Sequence, residues 1–355
     1  MKKINILLTA IILFIAININ GQNLPQVQAS PHARVFQEIG LSDITIDYHR
    51  PGVKGREIWG KLVPYGMTNL GFGTAKESPW RAGANENTTI TFTDDVKING
   101  HDLPAGTYGL HMLVTEKDWT IIFSKTNTAW GSFFYDPKDD ALRVVVTPEK
   151  SDFTEWLEYN FENLTDHSAD IELRWENLKA KFNASFDLNN VVLDRYRKAL
   201  VGAGGFNWLN YQQAAAYCLA KNIDLDEALN WIDHSISIKQ TGSNLLTKSQ
   251  LLEKKGDKKE ADELAKKGID LATEAELNNY GYTLMLQYND VDRALEIFKI
   301  NVKKHPESWN VFDSLAEAYA KKGDRENAVK YYNMALEKSP DNQHQRIMNA
   351  IGNLN

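Results

Sequence analysis

Four alanines set the register of the C-terminal third of the chain. Ala228, Ala261, Ala294 and Ala328 follow one another at intervals of 33, 33 and 34 residues. Phe298 and Tyr332 are 34 apart, as are Pro306 and Pro340, and Gly256-Asp257 and Gly323-Asp324 hold equivalent places. Each residue type has a geometric task. Alanine lets two helices approach closely, glycine takes the left-handed turn after a first helix, and proline stops a second. A recurrence of this length means stacked helix pairs, none of which can bury its apolar face alone.

The best-formed copy is residues 308–340, SWNVFDSLAEAYAKKGDRENAVKYYNMALEKSP. About four units fill 206–341. The first two, near 207–238 and 243–272, are degenerate, and the third reads as one residue short at Tyr288–Asp290. The polar tail 342–355 suits a capping helix. Ahead of the units, 188–205 reads as a helix and a Gly-rich linker ending in Gly202-Ala203-Gly204-Gly205.

The preceding half has a different period. Ten short stretches alternate or carry β-branched and aromatic residues: 33–39, 44–49, 88–92, 96–98, 107–114, 119–124, 142–147, 157–161, 169–175 and 181–186. Asn99-Gly100 and Pro104-Ala105-Gly106 are turn signals. With no crossover helices between them, such strands predict an antiparallel β-sandwich, jelly-roll-like, over 30–187. The architecture expected is therefore multidomain β + α, with a β-sandwich followed by a helical solenoid. A long Gly- and Pro-containing loop, 60–87, interrupts the strands, and loops of that length are usually functional or mobile.

Charge and leader patterns narrow the function classes. Net charge is −7, or −9 without Lys2 and Lys3. Residues 22–187 carry 16 Lys/Arg against 24 Asp/Glu, whereas 188–355 carry 22 against 23. An acidic, unstriped surface argues against a nucleic-acid partner and against a basic membrane-surface helix. Residues 1–21 have the form of a signal peptide. Lys2 and Lys3 precede a twelve-residue apolar core at 6–17, too short to span a bilayer, and Gly21 stands at a plausible cleavage point. The expectation is a periplasmic or secreted protein with no membrane span in the mature chain. The lone Cys218 leaves no internal disulfide, and its setting, AAAYCLA, reads as a buried, inert thiol.

Several β-half segments carry a family resemblance: DITIDYHRPGVKGREIWGKLVPYG (43–66), PWRAGANENTTITF (79–92), LPAGTYGLHML (103–113) and FFYDPKDDALRV (133–144). Together they resemble the exported bacterial family catalogued as domain of unknown function 2911, which often carries a tetratricopeptide tail. The 308–340 copy resembles one tetratricopeptide unit. The likeness implies an exported β domain over about 30–186 and no particular activity. This sequence departs from the pattern through the insertion MTNLGFGTAKESP and through His111 in place of an aromatic residue.

Arg50, Arg56, Trp80, Arg81, Asn85 and Glu86 are the first candidates for a small-molecule or glycan site, because they lie in Gly- and Pro-rich loops. A tryptophan would stack, arginine would pair with a carboxylate or phosphate, and Asn and Glu would order hydroxyls. The competing reading has the arginines tying loop carbonyls and Trp80 plugging one end of the sandwich. His111, on a strand with apolar alternates, is a further candidate but reads better as a satisfied buried histidine. The eight His show no zinc-type spacing, and Asp136, Asp139 and Asp140 do not follow an EF-hand pattern. No nucleophile elbow, P-loop, dinucleotide fingerprint or HExxH is present, so neither catalytic residues nor a cofactor are expected. In the repeats, first-helix positions Asn278, Tyr282, Asn310, Asp313 and Glu317 are the groove candidates for a protein or peptide partner. The leading reading is a non-enzymatic exported scaffold. A ligand-binding β domain comes second, and a hydrolase of unrecognised type third.

Overall fold

The structure, a computed structural model, describes residues 27–354; the expected leader at 1–21 lies outside them. The chain divides between Val191 and Val192 into two compact units.

Among the described residues the first unit holds ten strands. They are β1 (His32–Ile39), β2 (Ser42–His49), β3 (Thr89–Phe92), β4 (Val96–Ile98), β5 (His101–Leu103), β6 (Gly106–Leu113), β7 (Trp119–Ser124), β8 (Asp140–Val146), β9 (Glu149–Glu162) and β10 (Ser168–Phe186). One sheet has the order β1-β2-β3-β6-β7-β8 and the other β5-β4-β10-β9, with every pairing antiparallel. Period-2 alternation directs the packing. Along β2, Ile44, Ile46 and Tyr48 are buried while Asp43, Thr45 and Asp47 face outward. Both sheets contribute to a single core that includes Ile90, Leu110, Phe123, Leu157 and Phe182. Asn99 and Gly100 both take positive φ in the β4–β5 hairpin, as the Asn-Gly pair predicts.

Sheet length is where the structure differs from the sequence expectation. The stretches 169–175 and 181–186 are one 19-residue strand, β10, and 157–161 lies inside the 14-residue β9. Along β10 the buried set runs Ala169, Ile171, Leu173, Trp175 and then Ala180, Phe182, Ala184, Phe186. It passes from odd to even positions. Glu176 stands between them at φ +56°, and the pairing with β9 shifts register on either side of it. The irregularity rotates the strand and breaks the period that sequence reading depends on.

The second unit comprises α1 (Leu188–Leu200), which straddles the division, and nine further helices: α2 (Trp208–Lys221), α3 (Leu225–Ile238), α4 (Gly242–Lys255), α5 (Lys258–Leu271), α6 (Glu274–Tyr282), α7 (Val291–Lys304), α8 (Trp309–Lys322), α9 (Arg325–Lys338) and α10 (Asp341–Gly352). The pairs α2/α3, α4/α5, α6/α7 and α8/α9 are the four units, and α10 stacks after them. All four register alanines are at most 2% exposed, as close helix crossing requires. Gly256 and Gly323 cap α4 and α8 at φ +92° and +83°. The 188–205 stretch is more than a linker. Leu193 and Leu200 are buried with Ala215, Cys218, Ile232 and Leu251, so α1 completes the first layer.

Unit three corrects the expected one-residue deficit. From its cap Thr273 to the next cap Asp290 it runs one residue longer than Thr241–Asp257 or Ser308–Asp324. The extra residue is absorbed by a π-helical turn, Thr283–Gln287, followed by Asn289 at φ +54° where its counterparts have glycine. Among the described residues no helix is long and apolar enough to cross a membrane.

Candidate ligand cavity and repeat groove

In the β unit the loop 60–87 is an ordered wall. Thr68 and Ser78 exchange backbone hydrogen bonds at 3.0 and 2.9 Å, Gly66 N–H donates to the Val114 carbonyl, and Trp80 bonds both ways with Met112. The wall encloses a cavity of about 390 Å³ that Arg56, Trp80, Arg81 and Asn85 line. Its apolar side comes from Leu62, Val63, Pro64, Pro79 and Trp175. No Asp or Glu is among the lining residues.

Trp80 belongs to a four-indole cluster. It stacks on Trp175 at 5.9 Å and 17° between planes, and meets Trp59 and Trp119 edge-on at 5.8 and 6.5 Å. Its Nε1 donates to the Gly83 carbonyl at 3.2 Å. The Nε1 atoms of Trp59 and Trp175 are buried and have no acceptor among the described residues. Arg81 is half-buried, and that burial lowers the pKa of its guanidinium. Nη1 donates to the Asn85 carbonyl at 2.5 Å, and the group lies over the Phe133 ring at 5.1 Å. No carboxylate comes within ion-pair distance of Arg81 among the described residues. A Cβ at Gly131 would sit 2.4 Å from the Arg81 Cζ, so glycine is required for the guanidinium to lie there. Ala82 and Asn85 flank the site at φ +52° and +57°, left-handed values that non-glycine residues rarely hold without support. For Ala82 the support is a carbonyl that accepts from Tyr159 Oη and Thr88 Oγ1.

Arg50 and Glu86 are placed elsewhere, whereas His111 and Arg56 stand at the cavity. Arg50 ties β9 in place, donating to the Leu157 carbonyl at 2.8 Å and to Glu158 at 3.1 Å. Glu86 is exposed, with its Oε2 3.3 Å from His49 Nδ1. His111 is buried behind the cavity, its Nδ1 3.0 Å from Ser132 Oγ, and Ser132 itself lines the cavity. Burial, reinforced by the nearby Arg81 charge, lowers the His111 pKa to about 4. Arg56 lines the cavity and donates Nε to the Val53 carbonyl at 3.1 Å and Nη2 to the Gly52 carbonyl at 2.5 Å. The acidic turn is occupied internally: Asp136 accepts from Lys138 N–H, Asp139 from Thr126 Oγ1, and Asp140 from Tyr135 and Arg143. Trp175 and Ser132 were missed. They stand far from the loop in sequence, and Trp175 reads there as one more apolar alternate.

In the helical unit the first-helix candidates share a polar ladder. Tyr282 Oη donates to Glu317 at 2.5 Å and lies 3.3 Å from Ser314 Oγ, whose hydroxyl can donate to it. Asn278 and Asn310 are half-buried. Asp313 does not present a free carboxylate. It is 5% exposed, because Arg346 on α10 crosses to it at 2.8 Å. Burial raises its pKa, and Arg346 offsets part of that rise. The larger concavity lies earlier in the stack. A cavity of about 390 Å³ runs over α2, α4 and α6 into the π turn, and Gln213, Gln250, Asn279, Gln287, Tyr196 and Tyr288 help line it. Gln213, Asn279 and Gln287 are exposed and make no side-chain hydrogen bond among the described residues. Cys218 is a buried free thiol, its pKa pushed up to about 11 by burial. Among the described residues no group of three or more His, Cys, Asp or Glu is placed to hold a metal.

An antiparallel β unit and a run of stacked helix pairs define a two-part protein whose helical part has tetratricopeptide architecture. Residues 30–184 match the family described as "Protein of unknown function (DUF2911)", and 311–342 match a tetratricopeptide repeat. The β unit is thus similar to DUF2911 and the helical unit to tetratricopeptide repeats. No curated protein matches the chain. Solved structures similar to it include MamA from Desulfovibrio magneticus RS-1, 18% identical over 42% of this chain and 83% of that one, with a TM-score of 0.28. YrrB, described as a TPR protein with an unusual peptide-binding site, is 21% identical over 45% and 82%, with a TM-score of 0.27. The C-terminal part of a TPR repeat-containing protein from Cytophaga hutchinsonii is 19% identical over 42% of this chain and 58% of that one, with a TM-score of 0.28.

Proposed function

We propose that this chain is a non-enzymatic, exported scaffold whose helical unit holds an extended segment of a partner protein. The observation that carries the reading is the groove over the first helices of units one to three. Its exposed amides, Gln213, Asn279 and Gln287, have donors and acceptors unused among the described residues. Primary amides offer the same pair of groups as a peptide backbone, so a row of them suits an extended strand more than a charged terminus. The π turn adds one residue to the groove wall at Thr283–Gln287, a place where such turns often serve function. Export rests on Lys2, Lys3 and the apolar run at 6–17.

The test is a triple variant, Gln213→Ala/Asn279→Ala/Gln287→Ala, against a peptide selected by display on the full chain. These exposed changes should move stability by less than about 0.5 kcal/mol. Affinity should fall about tenfold or more, or about 1.4 kcal/mol. Selected peptides that bind the variant as tightly as the native chain would overturn the reading.

A further inference from the structure

A second binding site, independent of the groove, is written into the β unit. We propose that the 390 Å³ cavity between the 60–87 loop and Trp175 takes a small organic carboxylate with a flat apolar body, its acid group on Arg81. Four observations converge there. The first is charge. Residues 22–187 carry a formal charge of −8, yet the cavity lining includes two arginines and no acidic side chain. A half-buried guanidinium without a counter-ion is costly, because burial removes hydration that the Asn85 carbonyl and the Phe133 ring replace only in part. In a domain with 24 acidic residues, an internal partner would have been easy to supply.

The second is donor geometry. Arg81 uses Nη1 on the Asn85 carbonyl, while Nε and Nη2 have no acceptor among the described residues. Those two atoms form one edge of the guanidinium fork, which suits a carboxylate bidentately. The third is an orphan. Trp175 is 1% exposed and lines the cavity, and its Nε1 has no acceptor among the described residues. Buried indole N–H groups ordinarily find one. The fourth is shape. Leu62, Val63, Pro64, Pro79 and Trp80 give an apolar wall in a volume at the small end of ligand pockets.

The same residues select among anions and against sugars. A phosphate dianion would need a second guanidinium edge, but Arg56 has Nε and Nη2 committed to the Val53 and Gly52 carbonyls, which leaves only Nη1. Neutral sugars are ordered by several carboxylate and amide acceptors, whereas this lining offers one side-chain amide, Asn85, and no carboxylate.

Calorimetric titration of the full chain tests this with four probes: phenylacetate, phenylacetamide, phenyl phosphate and methyl glucoside. Phenylacetate should bind saturably and at least about tenfold more tightly than the other three. Arg81→Gln should lose about tenfold or more of phenylacetate affinity, yet melt at the same temperature as the ligand-free native chain or above it, since an unpaired charge is removed. A purely structural Arg81 would instead lower the melting temperature. Equal binding of phenylacetate and its amide, no phenylacetate binding, or preference for phenyl phosphate or the glucoside would each overturn the proposal. The comparison of acid with amide uses the native chain and so survives a variant that fails to fold.

Discussion

Acidification from pH 7 to pH 4 should cost the native chain about 3 kcal/mol through His111 alone, and His111→Phe should remove that part of the loss. His111 is 2% exposed, and its pKa is lowered from the ordinary 6.5 to about 4. The sign follows from proton counting. Between those values the unfolded chain takes up a proton that the fold refuses, so stability falls as pH falls from 6.5 and levels off below 4. His49, also lowered chiefly by burial, adds to the loss in the same direction, so the comparison of native with variant isolates His111. At pH 7 the phenylalanine variant should be somewhat less stable, because Ser132 Oγ loses its ring partner. Urea unfolding at pH 7, 5.5 and 4.5 reads both curves. Parallel curves would mean that His111 takes up its proton in the fold as readily as in the unfolded chain, and would contradict this account.

The second large effect is expected at Trp119. Replacement by alanine should cost about 4 kcal/mol, the range for emptying a buried aromatic site. Trp119 is 1% exposed and packs on Trp59 at 4.6 Å, which in turn meets Trp80 and Trp175. Trp119→Ala should therefore also flatten the near-ultraviolet circular dichroism of the indole cluster and weaken phenylacetate binding, although Trp119 does not line the cavity. A cost below about 1 kcal/mol would show that the cluster is not a packed core.

How much of this was legible in the sequence depended on whether the signal was local. The helix pairs were, because the spacings of Ala228, Ala261, Ala294 and Ala328, and of the capping glycines, encode turn and crossing geometry directly. So was the Asn99-Gly100 hairpin. The extent of β9 and β10 was not. Glu176 reverses the inward face of β10, and a strand whose period breaks midway reads as two. Unit three misled for a related reason: the π turn at Thr283–Gln287 hides one residue that spacing arithmetic assigns to the neighbouring helix.

Sites were harder, since they are built from long-range pairs. Arg56, Trp80, Arg81 and Asn85 were legible as a loop constellation and do line one cavity, but Trp175 reaches it from β10, nearly a hundred residues on. Asp313 looked like an open groove carboxylate, and nothing local announces that Arg346 covers it. The concavity formed over units one to three because α1 and the degenerate first units stack into it, a placement that the better-preserved fourth unit did not suggest.

Amide hydrogen exchange on the full chain, with and without a display-selected peptide, tests the scaffold reading most directly. It predicts slowed exchange in α2, α4 and α6 and through the π turn at Thr283–Gln287, with the same protection absent in the Gln213→Ala/Asn279→Ala/Gln287→Ala variant. Protection confined to α8–α10 or to the β unit would contradict it.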